Sequence, residues 1–430
     1  MEFEVRDPIH NRIAFDAFER RIIDHPFVQR LRFINQLSFL NYVYPGGVHD
    51  RFNHCLGAMH VAGRLFDHLF RPQGLLCSRF STAEVDKLRR RVRLAGLLHD
   101  LGHGPFSHAS ESVFPSIGDL PLNWHWWTHL PDRQARHEDY SVLLIQTLAQ
   151  ENVLESSLAQ DIASLIHPDL QPSDDFKALQ ANAPGLQVIL HGLISGEIDC
   201  DRMDYLLRDS HYCGVYYGHF DFNWLIGSLD VAEHQGGLVI TLTENGVRAY
   251  EDMLLARYHM IDQVYFHKTA MGFSHYLQQA IKNQEIDLVV PSDPHEYADM
   301  HDGRVIEKLW QAAKQPDNYW SSHLMNRWPA KRILRLNRSN PSDLEILEQL
   351  TDDCQSRGVR YFTHTAAQQL SHLGEGQNAH ESMYVAKKTL SGCQFIPIFE
   401  YSDLLQKYNE KIHFTDFFVL REDFDKFKRN

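Results

Sequence analysis

Four places in the sequence carry side chains that bind divalent cations and move protons: His54, the adjacent pair His99-Asp100, the run from His103 to His108, and Asp201. Imidazole and carboxylate together make a borderline donor set suited to iron, manganese or zinc, with magnesium possible alongside. Around the pair, Leu94, Leu97, Leu98 and Leu101 form the core stripe of a helix. His99 and Asp100 then straddle the opposite face about 100° apart, over the small Gly96, leaving room for a cation between them. Gly102-His103-Gly104-Pro105 ends that helix and delivers His103 and His108 to the same rim. An adjacent His-Asp pair by itself is weak evidence. Four ionisable groups between 99 and 108 exceed what packing requires.

Three further segments must position this chemistry. RFNHCLGAMHVAGRLFDHLF at 51–70 reads as a helix apolar on two sides, which shields His54 from water. A core histidine satisfied by a neighbour is the plainer reading of His54 alone. In GEIDCDRMDYLLRDSHYCG at 196–214, Asp201, Tyr205 and Asp209 share a helical face with Arg208 beside them, although a solvated helix shows similar charges. EDMLLARYHMIDQVYFHKT at 251–269 aligns Arg257, Ile261, Tyr265 and Lys268 if it is one continuous helix. Cations and a phenol on one face suit phosphates and a sugar; a surface helix with snorkelling cations is the alternative.

The expected fold is mainly α: a helical bundle with a short inserted hairpin at 236–246, turning at Asn245-Gly246, followed by a smaller α+β region. Two regions are expected, 1–290 and 300–430, the latter with strands in KRILRLN, VRYFTH, QFIPIFEY and KIHFTDFFVL. The 430 residues include 42 Lys+Arg against 56 Asp+Glu, a net charge of −14 that repels polyanions and disfavours general nucleic-acid binding. A small anion remains compatible, because a few arginines in one cleft override a field that salt screens. No stretch reaches the length of a membrane span and the charged start lacks a signal-peptide core, so a cytoplasmic chain is expected. Six cysteines without a C-x-x-C pair exclude a zinc ribbon and disfavour a disulfide framework.

In order, His54, His99-Asp100 and Asp201 resemble the signature of HD-domain metal-dependent phosphohydrolases. QRLRFINQL at 29–37, Arg51-Phe52-x-His54, HDLGHGPFSH, His137-Glu138 with Ser141-Val142, DCDRMDYLLRD at 199–209 and VYFHKT at 264–269 extend the likeness. Together they resemble the deoxynucleoside triphosphate triphosphohydrolases of the dGTPase and SAM-and-HD-domain family, of the bacterial type expected to lack the SAM module. The resemblance covers about two thirds of the chain. It implies His54, His99, Asp100 and Asp201 as metal ligands, and His103, His108 and His137 around the reacting phosphate, with Glu111 orienting His108. It implies Arg51, Arg202, Arg257 and Lys268 on the triphosphate, and Gln36, Leu37, Tyr205, Asp209 and Tyr265 on base and deoxyribose. Vertebrate members carry aspartate where Glu111 stands and lysine where Arg202 stands. His129, in a Trp-Thr-His context, rivals His137, which is preferred for the Glu138, Ser141 and Val142 that follow.

The implied reaction is hydrolysis of a dNTP to deoxynucleoside and inorganic triphosphate, with a divalent metal (Fe, Mn, Zn or Mg). The resemblance also implies a homodimer or homotetramer, and an activating GTP or dGTP bound by Asp24, Gln29 and Arg32. Two alternatives stand beside it: an HD phosphohydrolase acting on a monophosphate or cyclic nucleotide, and a nucleotide sensor without turnover. The four cations are more than one phosphate needs, and three histidines beside a metal are more than a sensor needs.

Overall fold

In the computed structural model of the protein, residues 2–371, 383–390 and 392–428 are described. A hairpin, β1 (Glu2–Asp7) and β2 (Asn11–Asp16), opens the chain. The elements that matter for the site follow: α1 (Ala17–Ile23), α2 (Arg51–Leu69), α3 (Thr82–Leu98), α4 (His137–Gln150) and α5 (Cys200–Cys213). Local signals set their starts. Asp50 caps α2 by accepting from the Asn53 amide at 2.9 Å, Ser81 and Glu84 form a reciprocal box on α3, and Asp199 accepts from the Arg202 amide at 2.7 Å to start α5. Gly214, at φ +69, ends α5 in the left-handed conformation that glycine adopts without penalty.

Small residues decide how closely these helices approach. A Cβ on Gly96 of α3 would lie 3.0 Å from the Ala58 carbonyl of α2, and one on Gly57 of α2 would lie 1.9 Å from Asp204 Oδ1 of α5. Each contact sits one turn from a candidate ligand, since His54 is three residues before Gly57, His99 three after Gly96, and Asp201 three before Asp204. Backbone proximity therefore levels the three functional turns. Met59, Leu94, Leu97, Leu98, Met203 and Leu206 fill the core around them, all fully buried. The segment 115–136 is an irregular loop with only short 3-10 turns, as its prolines and tryptophans predict.

Later elements depart from expectation at two points. The hairpin forms from β3 (Leu229–His234) and β4 (Gly237–Thr243), and its turn lies at Gln235-Gly236, with φ of +50 and +82, not at Asn245-Gly246. Two successive positive-φ residues match the right-handed twist of the strands; Asn245-Gly246 instead enters a 3-10 turn ahead of α6 (Val247–Met260). The predicted helix over 251–269 is also not continuous. α6 ends at Met260, Ile261–Tyr265 form a π-turn, and α7 (Lys268–Lys282) starts anew behind a His267 cap. Arg257, Ile261, Tyr265 and Lys268 consequently do not share a face.

The strands expected near the end form, although QFIPIFEY is strand only to Pro397: β5 (Lys331–Asn337), β6 (Tyr361–Gln368), β7 (Tyr384–Thr389), β8 (Gly392–Pro397) and β9 (Ile412–Val419). One sheet runs β5-β9-β6, antiparallel throughout. The other runs β3-β4-β7-β8, with β4 and β7 parallel, so the inserted hairpin is half of a sheet completed from the end of the chain. Val385, Ile398 and Leu405 join the same apolar core as Met59 and Leu97.

Gly57→Ala forces a methyl into the Asp204 carboxylate and the Arg208 guanidinium, in a place where neither can move to solvent. Overpacking of this kind is expected to lower unfolding free energy by about 1–3 kcal/mol, read as a reduced urea midpoint at unchanged slope.

Candidate metal and proton-transfer site

The start of α2, the end of α3 and the start of α5 bring the donor groups together. His54 Nε2 lies 3.3 Å from His99 Nε2, 3.5 Å from Asp100 Oδ2 and 3.0 Å from Asp201 Oδ1. His99 Nε2 lies 3.4 Å from Asp100 Oδ1 and 3.5 Å from Asp201 Oδ1. What the imidazoles do with their other nitrogen decides the chemistry. His54 Nδ1 is 2.8 Å from Asp204 Oδ2, and His99 Nδ1 is 2.9 Å from the Gly96 carbonyl. Both partners are acceptors, so in the neutral rings each Nδ1 carries the hydrogen and each Nε2 turns a lone pair toward the shared space. Two lone pairs and two carboxylates facing one another fit a divalent cation.

The electrostatics of the donors agree. Burial would lower His54, yet Asp201 and Asp204 raise it to about 10; burial likewise opposes a rise at His99 that Asp100 and Asp201 impose. Asp201 is pushed up by burial but held well below the ordinary carboxylate range by the two imidazoles. Each group is thus stabilised in the charged form only by its neighbours, which is the field a cation would replace.

Behind this group lies a buried support that sequence reasoning missed. Asp204 accepts from Arg208 at 2.8 and 2.9 Å and sits 2.7 Å from His10 Nε2, and Arg208 also donates to Asp7 at 2.8 Å. The i, i+3, i+7 spacing of Asp201, Asp204 and Arg208 was the available signal, since it puts a carboxylate and its partner on the ligand's own helical face. His49 was also missed; its Nε2 is 2.7 Å from Asp209, and only the fold brings them together. Asp302, a third, accepts the Phe106 amide at 2.7 Å and the Asn35 amide at 2.9 Å, fixing two loops of the cavity wall. Phe106 and Ser107 there hold left-handed backbone, at φ +56 and +55.

A second cluster adjoins the first. His103 and His137 stack with ring centres 3.8 Å apart, and His108 meets both edge-on at 5.0 and 5.3 Å. Glu111 Oε1 lies 2.6 Å from His137 Nδ1 and 3.0 Å from His108 Nδ1, tying the pair. Despite burial, those imidazoles hold Glu111 below the usual range. Burial opposes, but Glu111 and Glu138 raise His137, whereas burial, Arg51 and His137 lower His103. His129 is exposed, 3.7 Å from Asp169, and takes no part.

Both clusters open into one cavity of about 760 Å³, a size suited to a nucleotide. Asp100, Asp201, His103, His108 and His137 line it, with Gln36, Leu37, Arg51, Tyr205, Asp209 and Tyr265. Tyr265 donates to Asp209 at 2.6 Å and meets Tyr205 edge-on at 6.0 Å. The Arg51 guanidinium contacts Asp100 and donates to Ser107 Oγ at 3.1 Å. Three expected cations are elsewhere. Arg202 is drawn to Glu197 at 2.9 Å and Asp199 at 3.7 Å, Arg257 points to the Leu370 carbonyl at 3.5 Å, and Lys268, exposed at the start of α7, does not line the cavity. Asp24, Gln29 and Arg32 lie together outside it: Arg32 covers the Phe52 ring at 3.6 Å and donates to Gln29 at 2.8 Å, and Asp24 pairs with Arg20 at 3.3 Å.

Histidines and aspartates gathered from the ends of three packed helices define an HD-type site. The HD domain family matches residues 51–190 and the HD associated region matches 220–356. The protein YwfO of Bacillus subtilis (strain 168) is 35% identical over 264 residues, 61% of this chain and 51% of its own length. Deoxynucleoside triphosphate triphosphohydrolase SAMHD1 of Homo sapiens is 32% identical over 278 residues, 61% of this chain and 42% of its own. The chain therefore spans about half the length of the curated relatives it matches. The crystal structure of a hypothetical protein from Aquifex aeolicus superposes with a TM-score of 0.75 at 25% identity, covering 99% of this chain and 98% of that one. Among the described residues, no helix is long and apolar enough to cross a membrane.

Asp201→Ala removes one of four convergent donors and is expected to abolish tight manganese binding, while Asp204→Asn, which only loosens His54, lowers affinity about 10- to 100-fold. Metal titration calorimetry reads both; undiminished binding in Asp201→Ala would show that the four donors do not act as one site.

Proposed function

We propose that this protein is a metal-dependent phosphohydrolase that cleaves deoxynucleoside triphosphates to deoxynucleoside and inorganic triphosphate. The carrying observation is one nucleotide-sized cavity lined both by Asp100 and Asp201, which sit against His54 and His99, and by His103, His108 and His137. Similarity to a relative named a deoxynucleoside triphosphate triphosphohydrolase supports the choice of substrate.

His54, His99, Asp100 and Asp201 would hold the divalent cation, which when bound supplies positive charge for a phosphate oxygen and an acidified water. Arg51, anchored by Ser107, stands at the cavity wall to neutralise phosphate charge. Cleavage at the α-phosphorus adds water oxygen to phosphorus and expels the 5′-oxygen, which must gain a proton. His108, oriented by Glu111, is the group to deliver it, with His103 and His137 facing the phosphate. Tyr265, its hydroxyl fixed on Asp209, and Tyr205 would pack against the sugar and are the groups to exclude a 2′-hydroxyl. Asp24, Gln29 and Arg32 make the exposed strip for an activating GTP or dGTP on a homodimer or homotetramer; turnover unchanged by added GTP would remove that part of the reading.

One observation favours a second reading. Of Arg51, Arg202, Arg257 and Lys268, only Arg51 lines the cavity, which is enough for a monophosphate or cyclic nucleotide. Product analysis separates the two: with manganese and each dNTP, chromatography is expected to find deoxynucleoside and triphosphate, whereas turnover confined to mono- or cyclic nucleotides would establish the alternative.

His108→Ala is expected to lower kcat about 10²- to 10⁴-fold with little change in manganese content. The pH profile follows from His137, whose value is raised, so its protonated form persists below that value and is lost as pH rises through it. Activity should therefore fall on the alkaline side, and Glu111→Gln, by removing the carboxylate that raises His137, should move that fall to lower pH. An alkaline limb unmoved by Glu111→Gln would exclude the His137–Glu111 pair from proton transfer.

A further inference from the structure

The cavity has a further wall, built by stretches of chain other than those that carry the metal donors. One face of α7 contributes Met271, Ser274, His275 and Gln278, and β6 contributes Phe362 and His364, two residues apart and so on one face of the strand. His275 stacks on Phe362 with ring centres 3.6 Å apart and planes within 4°, and Phe362 stacks in turn on its cross-strand partner Phe418 at 4.8 Å and 4°. This stack ties helix to sheet and makes a rigid aromatic wall. Among the described residues, none that 266–278 or 362–364 contribute to the lining is Asp, Glu, Lys or Arg. The charged lining residues, Arg51, Asp100, Asp201 and Asp209, come from other elements. The cavity thus has charged walls and one wall that is neutral, aromatic and hydrogen-bonding.

A ligand with phosphates at one end and a neutral heterocycle at the other matches that division. We infer that the wall formed by α7 and β6 is the base-reading wall of the cavity, with Gln278 and His364 as the residues that set which base is accepted. This rests on the nucleotide reading above and adds where selectivity resides. Among the described residues none hydrogen-bonds the buried His364 Nδ1, so the imidazole would have to turn for a base edge to engage that nitrogen. Burial also lowers His275, to about 4, and His364, so both rings stay neutral near pH 7 and offer one donor and one acceptor each. Gln278, with an amide that both donates and accepts, completes a set able to tell one base edge from another. Phe362 and His364 lie outside both matched family regions, 51–190 and 220–356, whereas Gln278 lies inside the second.

The test uses the full chain, with Gln278→Ala and His364→Ala made separately and checked for unchanged manganese content. Two quantities are measured for all four bases: kcat/KM for the dNTPs, and calorimetric affinity for the unphosphorylated deoxynucleosides, which cannot be hydrolysed. Each variant is expected to change the ratio between the best and worst base by about tenfold, the scale of one buried hydrogen bond lost. Four bases shifting together, or not at all, in both variants overturns the proposal, as does a wild-type protein that binds all four deoxynucleosides equally. A wild-type protein that discriminates deoxynucleosides but turns over no dNTP supports the base-reading wall while rejecting the triphosphohydrolase reading.

Discussion

Everything in this molecule answers to the difficulty of holding two imidazoles 3.3 Å apart, each within 3.5 Å of two carboxylates, away from water. Such groups repel and, unpaired, cost several kcal/mol each to bury. Neighbouring structure meets part of that demand. Arg51 answers Asp100, Gly96 fixes His99, and a closed network of Asp204, Arg208, Asp7 and His10 fixes His54. The amino-terminal hairpin, remote in sequence, takes part because Asp7 ends its first strand. A domain cut just before α2 would keep the signature residues and lose the support that aims one of them.

Much of this was legible in the sequence because helical periodicity is local. The stripe of leucines around 94–101 fixed which way His99 and Asp100 face, and the double apolar face of 51–70 predicted the burial of His54. The failures share one cause. Whether Arg202 turns to the cavity or to Glu197 depends on a loop packed against it, not on its place in the helix. Lys268 was misplaced by assuming a continuous helix, and no propensity marks the π-turn that interrupts it. The hairpin turn went to Asn-Gly by rule, whereas the two residues actually holding positive φ are Gln235 and Gly236. His49 and Asp302 act on partners 160 and 196 residues distant, Asp209 and Phe106, beyond any local pattern, whereas Asp204 acts on His54, 150 residues away, but shows its helical pairing with Arg208 locally.

The walls of the cavity differ in how they are made. The charged walls are helical, assembled from turns that small residues hold at fixed height. The neutral wall is a junction of helix and sheet, held by stacked rings. Asp302 ties two loops of the wall: a carboxylate from beyond residue 300 accepts from the Asn35 amide and from Phe106, in the left-handed Phe106-Ser107 backbone that leads into His108. Burial raises Asp302 to about 6, offset in part by the amides it accepts.

The π-turn at Ile261–Tyr265 has a further implication for how this segment tolerates change in length. A π-turn accommodates one residue more than the regular helix would, and side chains beyond it are rotated by about a quarter turn relative to those before it. Deleting a single residue there would let the helix regularise, at no loss of hydrogen bonding, and swing the Tyr265 phenol away from Asp209. In this stretch the count of residues is under constraint as firmly as their identity, and point substitutions alone would never reveal it.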